Sequence, residues 1–155
     1  MRHGKLGIAS LLGVGVALAG TLAMAPASAA VTPDTATLSF DCGSYGSGSA
    51  TLTATQSGTD ATISVSTSAI TSPLDIGANS VSSKLTLTKN GSDTVVFSGN
   101  SNPAIPAGGA VSTGPLTGTV ATGDQLEGSS LQVVVFGITA TCKATSPQSP
   151  GPFVF

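Results

Sequence analysis

Past its third residue the chain has no histidine, past its second no arginine, and it has no tryptophan anywhere. These absences remove whole classes of chemistry. Without an imidazole, no serine or cysteine after residue 3 can be activated by a histidine base, so Ser-His-Asp and Cys-His catalysis is excluded there. Zinc and copper lose their commonest ligand for the same reason. Charge is scarce as well: only 8% of the residues carry one. Beyond residue 30, Lys84, Lys89 and Lys143 stand against Asp34, Asp41, Asp60, Asp75, Asp93, Asp124 and Glu127, three cations against seven anions and a balance of −4. Such a chain has no basic stripe for phosphates, which argues against nucleic acid and anionic membrane surfaces as partners. Long apolar runs are also missing beyond residue 30, because Ser, Thr or Gly interrupts each one, so no later segment reads as a membrane span.

The one long apolar run lies at the start. Arg2 and Lys5 precede an uncharged stretch from Leu6 to Ala23, and "APASAA", Ala25 to Ala30, supplies the small residues that signal peptidase requires. Residues 1–30 therefore read as a secretory signal peptide, cleaved after Ala29 or Ala30. An uncleaved anchor fits the length of the run but not the Ala-x-Ala endings. A twin-arginine pair and a lipid-modified cysteine are both missing from this region. The expected location is secreted and extracellular. About 125 residues remain, the usual size of one domain and enough to bury a core.

What is present is alternation. Ala36, Leu38, Phe40 and Cys42 share one parity in "ATLSFDC", as do Ala50, Leu52 and Ala54 in "ATLTAT" and Ala61, Ile63 and Val65 in "ATISVS". Period-2 apolar positions backed by hydroxyl residues predict antiparallel strands with one buried face. Ser72 to Ser80 reads as an edge strand or a crossing between sheets. Around Asn90-Gly91, an odd-length loop keeps Leu85 and Leu87 on one face with Val95 and Phe97. A three- or five-residue loop with a bulge is therefore predicted. Gly99 to Pro115 reads as the longest loop, a ligand-contacting segment or simply a connection. "LQVVVFGITATC" changes parity along its length and reads as one last strand, covered on both faces or bulged near Phe136-Gly137. The domain is placed at 31–145, with a Pro-rich tail at 146–155. That tail either folds back on its own domain or pairs with a neighbouring copy, making the protein a monomer or a weak self-associator.

Two cysteines in an exported chain read as one disulfide, Cys42 to Cys142, closing a loop of 100 residues. A redox role would need a nearby partner or cation, whereas Cys42 follows Asp41. Tyr45, the only tyrosine, sits in "GSYGSGS", either capping the core with its ring or contacting a ligand. Asp124 and Glu127 are the only acids close enough in sequence to suggest a glycosidase pair or a weak calcium turn, and the turn around them reads as solvated. A Ser-Lys pair is formally open, but Lys84 and Lys89 flank a hairpin. Asn90-Gly91-Ser92 matches a glycosylation acceptor, which the turn explains equally well. Sugar binding would fall to Tyr45, Phe153 and Phe155, since Phe40, Phe97 and Phe136 read as inward.

The "APASAA" leader ending, the Thr/Ser/Ala/Gly-rich strands and the "SFDC" and "ITATC" segments resemble small secreted proteins of high-GC Gram-positive (actinobacterial) bacteria. The resemblance covers nearly the whole chain after the leader. It implies an immunoglobulin-like antiparallel β-sandwich of about 7–9 strands, with one disulfide joining the first and last strands. The chain departs from true immunoglobulin domains in lacking the core tryptophan between its cysteines. The resemblance supplies no functional residues. The expected protein is non-catalytic, holds no cofactor or metal, and acts as an extracellular or cell-envelope module with a partner there and no membrane contact once the leader is removed. The alternative is a small-ligand or carbohydrate binder using Tyr45 and the 99–115 loop.

Overall fold

A computed structural model describes residues 30–155, so the signal-peptide reading of 1–30 lies outside the described residues but for Ala30. Nine strands follow in order: β1 (Thr35–Asp41), β2 (Ser47–Ser57), β3 (Asp60–Thr71), β4 (Ser82–Lys89), β5 (Asp93–Gly99), β6 (Ala110–Thr119), β7 (Gln125–Val135), β8 (Ile138–Ala144) and β9 (Phe153–Val154). A single 3₁₀ turn, Gly43–Tyr45, joins β1 to β2. The first eight strands pair antiparallel in the order β1-β2-β3-β6-β5-β4-β7-β8, and β8 returns to β1. The sheet therefore closes into an eight-stranded barrel. It is all-β, as the alternation predicts, but a closed ring and not clearly two separate sheets.

Closure is uneven around the ring. The β5/β6 seam rests on one residue pair, Ser98 with Thr117, and the β1/β8 seam on two, Phe40 with Ala144 and Asp41 with Lys143. These thin seams divide the strands into two sets of four. The Cys42–Cys142 disulfide lies beside the second seam, tying the end of β1 to β8 where backbone pairing is only two residue pairs long. A cross-link closing so long a loop stabilises a domain by roughly 4.7 kcal/mol in the chain-entropy model.

The inward positions are those that the alternation selects. Ala36, Leu38 and Phe40, Ala50, Leu52 and Ala54, Ala61, Ile63 and Val65, and Leu85, Leu87 and Phe97 are all buried in one cluster. Around Asn90-Gly91 the structure has a three-residue loop, with Lys89 opposite Asp93, Leu87 opposite Val95 and Leu85 opposite Phe97. That register keeps the apolar residues on the inner face.

Three sequence-based expectations are corrected. "LQVVVFGITATC" is not one strand: it is the β7–β8 hairpin, with Val135 opposite Ile138 across a two-residue turn at Phe136-Gly137. Both turn residues have positive φ, 53° and 73°, as a type I′ turn requires. The bulge in β7 sits earlier, at Ser129, where Thr86 faces Ser130 and Leu87 faces Gly128. That one extra residue moves the inward parity from Leu126 and Gly128 to Leu131 and Val133. The long loop ends at Gly109, because Ala110 to Thr119 is strand and Pro115 lies within it. Gly114 provides the irregularity that admits this proline: its φ is 113°, and a Cβ would stand 2.8 Å from the Ser64 Cα. Finally, the tail folds back on its own domain, as one of its two readings expected, but it does so as part of the core and not as an appendage. Phe153 and Phe155 are buried, β9 pairs with β7, and the Gln148 amide oxygen accepts a hydrogen bond from the Gly128 N–H at 3.0 Å.

Candidate functional site

The interior is incompletely filled. A cavity of about 90 Å³ lies between the two sets of strands, walled by Leu38, Leu52, Val65, Leu85, Leu131 and the disulfide. Ala50 and Ala144 also line it, inward residues whose methyl groups reach only a short way into the barrel. Eight strands enclose just enough room for side chains or one small ligand, so small residues at several inward positions leave a hollow. At roughly 24 cal/mol per Å³, leaving such a void unfilled costs on the order of 2 kcal/mol. Its volume is about three times the share of one water in the liquid, which suits a short aliphatic chain end or branch.

The cavity reaches the surface at one end of the barrel. Its half-buried lining residues Ile70, Val111 and Val133 lie near the end of β3, the start of β6 and the end of β7, all on that side. Its lining also holds Ser66, Thr67, Ser129, Ser130, Lys143 and Thr113, and the Thr113 Oγ1 is buried 2.6 Å from the Ser83 Oγ behind it, so these two hydroxyls satisfy each other. Beyond the mouth, Ile76, Val81 and Ile105 form a second small cluster against Val133 and Val135.

The candidate residues named from sequence are dispersed. Cys42 and Cys142 meet as a disulfide, and Cys42 lines the cavity. Tyr45 neither caps the core nor lines the cavity: it is half exposed in the 3₁₀ turn, with its N–H donating to the Cys42 carbonyl. The segment after Gly99 is fastened rather than free. Asn102 is buried; its Oδ1 accepts from the Ser80 and Val81 N–H groups and its Nδ2 donates to the Gly77 and Pro103 carbonyls. Ile105 exchanges backbone hydrogen bonds with Ile76. This segment locks the crossing from β3 to β4 and does not meet Tyr45 at a shared site.

The acids are likewise occupied separately. Asp124 is buried, not solvated: its Oδ2 accepts the Ala121 N–H at 2.9 Å and lies 3.5 Å from Lys89 Nζ. The backbone hydrogen bond, with help from Lys89, holds its carboxyl below the ordinary 3.8 despite burial. Glu127 accepts the Gln148 N–H instead. Among the described residues no group of three or more His, Cys, Asp or Glu side chains gathers to hold a metal ion. Asn90 Oδ1 accepts the Gln125 N–H, so the acceptor-like tripeptide serves its turn. Phe153 and Phe155 are buried and offer no stacking surface, whereas Phe136, expected inward, is exposed.

A second depression lies outside the barrel, a polar groove of about 430 Å³ lined by Lys84, Ser98, Asn100, Gln132 and Val134. Fold and site together define an antiparallel β-barrel with a disulfide at one seam and an apolar cavity open at one end. No protein-family model, curated protein or solved structure matches the chain.

Proposed function

We propose that the protein is an exported, non-catalytic binding module of the cell envelope, and that its ligand is a short apolar group held inside the barrel. The cavity carries this reading: a hollow walled by aliphatic side chains, reachable from outside, is retained at a cost to stability. The leader-like residues 1–30 and the likeness to small secreted actinobacterial proteins support export. The lack of histidine beyond residue 3 and the engagement of Asp124 and Glu127 by different backbone N–H groups support a non-enzymatic role. In this reading the barrel is an immunoglobulin-like sandwich whose two four-stranded halves meet at both seams, the thinness of those seams supporting the division.

Titration with 1-hexanol as a probe, followed through methyl resonances, tests it. Leu38, Leu52, Val65 and Leu131 should shift together and saturably, and Ala50→Leu, which fills the hollow, should abolish the shifts. Uniform or absent shifts would remove the cavity as a ligand site.

The polar groove favours a second reading, carbohydrate binding by Lys84, Asn100 and Gln132. A glycan array decides it: a hit lost on Gln132→Ala but kept in Ala50→Leu would replace the apolar ligand with a sugar.

A further inference from the structure

We propose that the end of the barrel carrying the cavity mouth docks onto an uncharged lipid surface, with Phe136 as its leading side chain. The proposal rests on the reading above only in naming lipid as the source of the apolar group; docking itself does not need the cavity to be filled.

Four exposed large apolar side chains belong to this end: Tyr45, Leu74, Phe136 and Ile138, exposed by 51%, 59%, 61% and 51%. They come from three separate places: the turn after β1, the β3–β4 crossing and the β7–β8 hairpin, whose turn carries Phe136 and whose β8 begins at Ile138. Side chains projecting singly around an opening do not make the flat, complementary patch that a protein interface needs. A lipid interface accepts such projections one at a time, and an amphipathic ring such as Tyr45 suits its headgroup depth.

Charge is segregated in the same sense. Asp34, Asp60, Asp93, Asp124 and Glu127 flank strand termini at the opposite end, with Lys89 among them. Toward the cavity mouth the charged groups are Asp41, Asp75, Lys84 and Lys143, two of each sign. Asp41 and Asp75 are turned to the backbone, accepting the Gly43 and Ala107 N–H groups at 2.7 Å. This end is therefore electrically balanced, and the attraction it offers is apolar. Docking here departs from the expectation of no membrane contact after the leader is removed; the scarcity of cations disfavours anionic surfaces only.

Phe136 supplies an independent observation. It occupies the first position of the type I′ turn at φ 53°, a left-handed conformation that is costly for an aromatic residue and easy for asparagine. Strained residues persist where function requires them. Here the strain holds a phenyl ring largely out in solvent, away from the buried core.

Residues 30–155, which hold every strand of the barrel, are to be sedimented with phosphatidylcholine vesicles, alone and as Phe136→Asn, Phe136→Trp and Ala50→Leu. The expected result is vesicle binding that is insensitive to salt and weakened about tenfold or more in Phe136→Asn, while that variant melts about 4 °C higher as its turn relaxes. Phe136→Trp should bind, and its emission, from the only tryptophan in the chain, should shift to the blue. Ala50→Leu should bind vesicles normally even as it rejects hexanol, so failure of the cavity reading and failure of docking are separable. Absence of vesicle binding, binding unchanged in Phe136→Asn, or binding that needs anionic lipid and vanishes with salt would each overturn the proposal. So would self-association without lipid that Phe136→Asn abolishes, which would make this end an interface between copies.

Discussion

At Gly118 the space of a side chain is already taken: a Cβ there would overlap the ring of Phe97, which is fully buried at the β5/β6 seam. Gly118→Ala is therefore expected to destabilise the protein by about 1–3 kcal/mol, the usual cost of overpacking, measured by urea denaturation. Such a contact is not legible in sequence, because it joins strands whose pairing is a single residue pair long. The same holds for Asp124. Its spacing from Glu127 suggested an exposed acidic turn, yet the turn buries it and directs the Ala121 N–H at its carboxylate. Because folding lowers its pKa, the stability it contributes is present above its ordinary 3.8 and is lost as pH falls through the folded value. Wild-type melting temperature should thus drop on acidification below about pH 4, and Asp124→Asn should show a shallower drop over that window.

At the scale of elements, the parity of apolar residues predicted the inner faces of β1 to β5 and the odd loop at Asn90, since period-2 burial leaves few alternatives. It misread the β7–β8 hairpin because a two-residue turn preserves pairing while reversing direction. Phe136-Gly137 also lacks the Asn-Gly chemistry that normally announces such a turn. The tail folds back on its own domain, one of its two expected readings; its place in the core was missed because Phe153 and Phe155 read as surface candidates, whereas those rings fill the barrel end beside Leu126. Truncation after Ser146 removes both buried rings and the Gln148 contacts. Since Phe→Ala in a core costs about 3–5 kcal/mol, the truncated chain is expected to be largely unfolded by circular dichroism at 25 °C.

For the whole molecule, the barrel and its hollow are one feature. Eight strands closed at two thin seams, with alanine at inward positions, leave a space that neither larger residues nor a tighter ring would leave. The disulfide secures the β1/β8 seam, and replacing both cysteines by alanine should cost about 2–5 kcal/mol in chemical denaturation and lower the protection of β1 and β8 amides most. The cysteine pairing was readable from sequence. The cavity was not, because it depends on volumes that meet across the barrel from strands far apart in the chain. A crystal structure under xenon pressure tests both at once. Xenon density among Leu38, Leu52, Val65 and Leu131, inside a ring closed between β1 and β8, is the predicted result; an interior filled by side chains, or an open sheet at that seam, would contradict it.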